Sequence, residues 1–371
     1  MFEAQVITVP MASPDDVSSV AQLFDSGKVD AAHVVAIIAQ TEGDGFARGY
    51  SSLSLQHLFA QRLGLTPAEI FDRIPMLMIG GTAGLMSPHF TLFINKPATA
   101  ATKGTAPRLA IGVASTRRLL PEEYGTMLEI ELVAAGVREA MASAGIATAA
   151  DVVCVELKTP QMTTQRVQDA ESRGKKTVDT NMMAASSKGR GAAALGAAMA
   201  LGEVSPADIS DAIVGRRLDL YSDKVSASSG NEQNAVRIVV IGNVAGAPGD
   251  YIAGNGVMKN QLDLPGARAA FSAAGLLLED GIVVPADRAK IAAVFCNAGA
   301  NALPNCLGHR TTMTTDLLAP YAGHVAKAIV HANVAAIAQT PMVLASAGFE
   351  HQGALGSNLI CVIANHAANQ G

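Results

Sequence analysis

Lys158 stands just beyond the apolar run Val152-Val153-Cys154-Val155, in the stretch "DVVCVELKTP" at 151–160. A lysine at the mouth of a buried strand must reach water, find a partner or give up its proton. If it is desolvated, its amine becomes a base able to activate a hydroxyl nucleophile near neutral pH. Ser228, in the small-residue turn "SASSGNE" at 226–232, is a hydroxyl that such a base would serve. Taken singly, the lysine is a strand-end side chain keeping its charge wet and the serine is a turn residue. The elements around them, and their recurrence along the chain, change that reading.

Three apolar strands end in a polar residue followed by small or turn residues: "VVAIIAQTEG" (34–43), "VVCVELKTP" (152–160) and "IAAVFCNAGA" (291–300). Each leads, through an Ala-rich helical segment, to a second strand entering a small-residue turn: "LMIGGTAG" (77–84), "SASSGNE" (226–232) and "LASAGFE" (344–350). A further strand follows in each case: "FTLFIN" (90–95), "AVRIVVIGN" (235–243) and "NLICVIAN" (358–365). The chain therefore reads as three α+β repeats, at 1–99, 108–243 and 250–371, arranged about a pseudo-threefold axis. Linkers fall at "NKPATAATKGTAP" (95–107) and "NVAGAPGDY" (243–251). "SPDD" at 13, "TPAE" at 66 and "SPAD" at 205 predict helix starts, with Ser or Thr as N-cap, Pro at N1 and an acid at N3. Under this symmetry Gln40, Lys158 and Asn297 are equivalent, as are Ile79, Ser228 and Ser346. Lys158 and Ser228 then share one repeat and can meet.

The bulk properties set the outer limits. Hydrophobic residues make up 49% of the 371 residues and charged ones only 16%, which implies an extensive interior and a surface partly buried between subunits. The net charge is −5 and no Lys/Arg run exceeds two residues, which argues against nucleic acid as a partner. Cys154, Cys296, Cys306 and Cys361 lack CxxC spacing and read as free thiols of a reducing compartment. The N-terminus has no basic n-region or apolar h-region, and no run of about 18 apolar residues occurs. A cytoplasmic protein without a membrane partner is expected. His89, His309 and His351 lack zinc-ligand spacing and are expected to be structural. "GGTAG" lacks the strand–GxxxxGK[ST]–helix setting of a phosphate loop.

The stretches "TEGDG" (41–45), "GGTAGLMSPH" (80–89), "LPEEYG" (120–125), "RGAAALG" (190–196), "ASSGNE" (227–232), "GHRTTM" (308–313) and "EHQG" (350–353) occur in this order. Through them the sequence resembles, nearly end to end, the ring-opening amidohydrolases, the cyanuric acid hydrolase and barbiturase family. The resemblance implies a threefold β-barrel core with outer helices, a homotetramer, and hydrolysis of one amide bond of a small cyclic imide with no catalytic metal or cofactor. It also implies a Ser-Lys pair and an arginine from each repeat. Lys158 matches the general base and Ser228 the nucleophile. Arg190 and Arg310 match two substrate-binding arginines. Ser228-Ser229 and Ser346-Ala347 match two small-residue pairs whose backbone N–H groups hold ring carbonyls, and Gly80 remains of the first.

The departures are as informative. Gln40 and Asn297 stand where lysines are expected, Ile79 replaces the first serine and Ser52 takes the place of the first arginine. The family's C-terminal metal site expects a carboxylate where this chain has Gly299, although Gln352 matches another ligand. The expected function is hydrolysis of a non-peptide C–N bond by a single dyad, on a substrate less symmetric than cyanuric acid. Alternatives are deaminase-type hydrolysis of an enamine or imine, and a non-catalytic small-molecule-binding relative.

Overall fold

The computed structural model describes residues 2–43, 45–98, 105–299 and 303–367. Residues 99–104 of the expected first linker, Asp44 of "TEGDG" and Ala300 of the third strand-end run lie outside the described residues. Three four-stranded sheets carry the chain. The first holds β1 (Phe2–Pro10), β2 (Val34–Gln40), β3 (Met76–Ile79) and β4 (His89–Pro97) in the order β1-β4-β2-β3. The second holds β5 (Pro107–Ser115), β6 (Val152–Pro160), β7 (Val225–Gly230) and β8 (Arg237–Ala245) in the order β5-β8-β6-β7. Short β10 (Leu278–Glu279) and β11 (Ile282–Val283) pair with each other, as do β13 (Asn305–Cys306) and β14 (His309–Arg310). The third sheet orders β9 (Tyr251–Met258), β16 (Asn358–Asn365), β12 (Ile291–Ala298) and β15 (Leu344–Ser346) in the same way. In every sheet the first strand is antiparallel to the last, the last to the second, and the second is parallel to the third.

Helices cover the outer faces: α1 (Ser18–Asp25), α2 (Gly45–Leu63) and α3 (Pro67–Arg73) with the first sheet, and α4 (Met127–Ser143), α5 (Thr164–Ser172) and α6 (Met182–Ala200) with the second. The third has α7 (Leu264–Ala273), the one-turn α8 (Pro285–Arg288) and α9 (Ala322–Ala338). Side chains alternate with the period of two that a strand imposes. On β2, Ile37 and Ala39 pack toward the first sheet's helices, while Ala36 and Ile38 join a core shared by all three sheets. On β12, Val294, Cys296 and Ala298 face helices, while Ala293 and Phe295 face the shared core. Continuing the alternation puts Gln40, Lys158 and Asn297 on the inward faces, at the ends of three equivalent strands.

The expected strands are present, and each sheet adds an outer strand not anticipated: β1, β5 and β9. Helix starts fared unevenly. Thr66 and Glu69 form a reciprocal capping box at the start of α3. Ser205 caps only a single 3-10 turn, and "SPDD" forms a turn, with α1 starting at Ser18 under Val17.

Candidate active site

The three strand-end positions are register partners of the three turn positions on adjacent parallel strands: Gln40 with Ile79, Lys158 with Ser228, and Asn297 with Ser346. Lys158 is 2% exposed and Ser228 is 8% exposed, and the Ser228 Oγ has no hydrogen-bond partner among the described residues. Lys158 Nζ lies 3.9 Å from Glu232 Oε1, in the turn that follows β7. Burial pulls the Lys158 amine down to about 7. Glu232 opposes this, while the charges of Arg48, Lys327 and Arg190 reinforce it. Four basic groups therefore share one region with two carboxylates, Glu232 beside Lys158 and Arg48 and Glu350 beside Arg190.

Apart from Lys158 on β6, these groups come from the helices over the sheets. Arg190, on α6, reaches Glu350 through Nε (3.1 Å) and Nη2 (2.5 Å), and its Nη1 donates to Ser229 Oγ at 3.3 Å. Asn181 anchors the start of α6 by accepting from Met183 and Ala184 N–H. Burial works to raise the Glu350 pKa, but the Arg190 charge and the hydrogen bonds from Arg190 and Ser187 outweigh it and hold the carboxylate below its usual range. Arg48, on α2, approaches Glu232 Oε2 and Gln161 Oε1, each at 3.4 Å. Lys327, on α9, is buried and donates to the carbonyls of Gly80 (2.7 Å) and Gly81 (3.2 Å). Burial lowers its amine to about 8.

Arg48 and Lys327 are cations near Lys158 that the sequence reading does not include. Ser52 does not enter the site: it is buried on α2 against Met76 and accepts from Gln56, while Arg48, one turn earlier, supplies the first charge. Arg310 is exposed on β14 and donates to Thr315, because "GHR" forms a two-residue hairpin whose turn uses Leu307 and Gly308 at positive φ. From the helices of the third sheet, the charge that bears on Lys158 is Lys327 on α9. The signal for it is present in sequence: a lone lysine in "HVAKAIVHANVAAIA", a helix rich in Ala, Val and Ile with no acidic residue.

Gln40 and Asn297 have internal partners. Gln40 Oε1 accepts from Ala345 N–H (2.8 Å) and its Nε2 donates to Ile79 O (2.9 Å), so it fastens the first sheet to the third. Asn297 donates to Gln352 Oε1 (2.9 Å) and accepts from Ser346 Oγ (3.4 Å). Ser346 also meets Ser226 Oγ at 2.9 Å. Ser229 and Ala347 are half-buried at the ends of β7 and β15, and Gly80 follows β3. A Cβ at Gly80 would press on Arg48 Nη1 and Gly43 O, each at 3.0 Å.

The family's metal does not fit these residues. A Cβ at Gly299 would come within 2.3 Å of Ser357 O, leaving no room for a carboxylate, and Gln352 Oε1 already accepts two N–H groups. His89 is buried on Ser87 O and pushed down to about 4 by burial. His351 is fixed between Gly215 N–H and Leu220 O, and His309 is exposed. All four cysteines are free. Among the described residues no helix is long and apolar enough to cross a membrane.

The sequence pattern of the family described as "Amidohydrolase ring-opening protein" matches residues 5–365. A cyanuric acid amidohydrolase of Enterobacter cloacae is 39% identical, over 99% of this chain and all of that protein. A cyclic amide hydrolase of a Rhodococcus species is 38% identical, over 95% of this chain and all of that protein. Among solved structures, a cyanuric acid hydrolase superposes with a TM-score of 0.90 at 33% identity, covering 98% of this chain and 100% of the other. The cyanuric acid hydrolase of A. caulinodans gives 0.87 at 36% identity, covering 98% and 99%. With the match running almost from end to end, the chain belongs to the ring-opening amidohydrolase family.

Proposed function

We propose that this protein is an amidohydrolase that opens a small cyclic amide or imide, with Ser228 as nucleophile and Lys158 as its base. The observation that carries the reading is the register pairing of Lys158 with Ser228: both are buried, the amine is shifted to about 7, and the Ser228 hydroxyl is unpartnered among the described residues. Neutral Lys158 takes the Ser228 proton as Oγ bonds to the ring carbonyl carbon. The resulting ammonium gives the proton to the ring nitrogen as the C–N bond breaks. Water then attacks the acyl ester, with Lys158 again accepting a proton, and releases the ring-opened carboxylate with Ser228 restored. Backbone N–H groups of Ser229 and Ala347 would hold the oxyanion, where losing one donor costs roughly 3 to 4 kcal/mol. Arg190 would orient another ring oxygen, with Arg48 and Lys327 adding positive potential. The same reading treats 1–99, 108–243 and 250–371 as three diverged copies, of which the second alone keeps both Lys and Ser.

Ser228→Ala and Lys158→Ala should each abolish ring opening, measured by product formation from a panel of cyclic imides. The double variant should be little worse than either single one, because residues acting as a unit are non-additive. Near wild-type turnover by Ser228→Ala would remove the nucleophile assignment.

A further inference from the structure

Gln352 carries a pattern of contacts that the dyad does not use. Its Oε1 accepts from Ala227 N–H (2.6 Å) and from Asn297 Nδ2 (2.9 Å). An oxygen facing two donors settles the orientation of the carboxamide, so the free branch is the NH2 group. That Nε2 is buried and has no hydrogen-bond partner among the described residues. It lies beside Gly348, where an added Cβ would come within 2.5 Å of Nε2 and 2.7 Å of Ala227 O. Ala227 precedes Ser228 and Gly348 follows Ala347, so the free N–H group sits between the two turns proposed to hold the ring. Ser228 Oγ, on the residue after Ala227, is likewise buried and without a hydrogen-bond partner among the described residues.

The backbone around Gln352 is held in place. His351 adopts φ 60°, with Nε2 accepting from Gly215 N–H (2.9 Å) and its Nδ1–H directed at Leu220 O (2.6 Å). Hydrogen bonds then run from Ser226 to Ser346, from Ser346 to Asn297, from Asn297 to Gln352 and from Ala227 to Gln352. This closed circuit ties the third strand pair to the strand bearing Ser228. A buried donor is costly without an acceptor, so an orphan held this firmly points to an acceptor supplied by a ligand.

We propose that Gln352 is a specificity-determining residue whose Nε2–H donates to a carbonyl oxygen of the bound ring, with Asn297 and Ala227 N–H as its positioning partners. The proposal rests on the cyclic amide reading above and names one edge of that substrate: a neutral carbonyl acceptor. A neutral amide donor selects a carbonyl over a methylene at that edge, since losing the acceptor leaves the buried N–H unpaired.

Gln352→Glu keeps an oxygen toward Ala227 and Asn297 but replaces the donor with an acceptor. Its kcat/KM for barbituric acid should fall by about 100-fold or more. On a ring carrying a methylene in place of one carbonyl, the ratio of wild type to variant should shrink toward one. Turnover within twofold of wild type, or equal losses on both rings, would overturn the proposal. If the buried carboxylate prevents folding, Gln352→Met, of similar length and uncharged, should show the same substrate-dependent loss, and equal losses there count against it. Should wild type open no ring at all, the dyad reading fails separately. The donor is then read by calorimetric binding of barbituric acid to Ser228→Ala and to Ser228→Ala/Gln352→Glu. At least tenfold weaker binding by the double variant supports it; equal affinity, or no binding to either, rejects it.

Discussion

A lysine becomes a base at neutral pH when its surroundings make the ammonium costly, and Lys158 meets that condition mainly by burial. Arg48, Lys327 and Arg190 push in the same direction and Glu232 pushes back. The sign of the pH dependence follows. The reactive form is the neutral amine, which accumulates above its pKa, so kcat/KM should rise with pH through an apparent pKa near 7. Glu232→Gln removes the charge that favours the ammonium, so the acidic limb should move to lower pH. Arg190→Met removes a charge that disfavours it and should move the limb upward. A profile flat across neutrality, rising only near the free-lysine value of about 10.4, would contradict a desolvated base.

At the level of elements, the site depends on strands whose inward faces end in register and on helices packed closely enough to deliver cations over those ends. Close packing is visible at Gly112 on β5, where an added Cβ would lie 1.9 Å from the carbonyl oxygen of Ala140 on α4. Gly254 on β9 stands in the same relation to α7, where a Cβ would meet Ala274 N at 2.3 Å and Ala270 O at 2.5 Å. The obstacle is backbone in both cases, so no side-chain rotation relieves it. Gly112→Ala should destabilise the protein by about 1 to 3 kcal/mol, the range for overpacked cores, by forcing α4 off the sheet. Thermal unfolding of the variant checks this, and a midpoint equal to wild type would show that α4 shifts without cost. The same displacement would loosen α6, which packs on α4 where a Cβ at Gly196 would come within 2.6 Å of Ile130 O.

For the whole molecule, the question is how three similar sheets came to present three unlike edges. Cyanuric acid has three identical carbonyl and N–H edges, which three identical Ser-Lys-Arg sets would complement. Here the second set is Lys158, Ser228 and Arg190, the third is Asn297, Ser346 and Lys327, and the first is Gln40, Ile79 and Arg48. A ring oxygen facing Ile79 loses a hydroxyl partner, at a cost of roughly 1 to 3 kcal/mol for a buried polar group. Cyanuric acid should therefore be a weak substrate compared with a ring bearing one apolar or differently substituted edge. Steady-state kinetics on cyanuric acid, barbituric acid and substituted cyclic imides checks this, and cyanuric acid as the best substrate would end the asymmetry argument. Gln40→Lys with Ile79→Ser should shift selectivity toward cyanuric acid. It should also lower stability, because Ala345 N–H loses the acceptor it has in Gln40.

Several features could be read from the chain alone. Apolar runs closed by Gln40, Lys158 and Asn297 mark the second strand of each sheet, because burial on both faces leaves little but Val, Ile, Ala and Cys in such strands. The pairing of Lys158 with Ser228 followed from the threefold recurrence of strand and turn. Tertiary structure decided which charges arrive. Arg48 and Lys327 enter from helices, and a helix selects one face from its rotation against a sheet, which residue spacing alone does not specify. Arg310 was drawn from the order of motifs, yet a two-residue hairpin turns it to solvent. The internal partners of Gln40, Asn297 and Gln352 join residues of different sheets, up to 305 positions apart for Gln40 and Ala345. Short polar side chains reach only a few ångströms, so their partners exist once the three sheets have met.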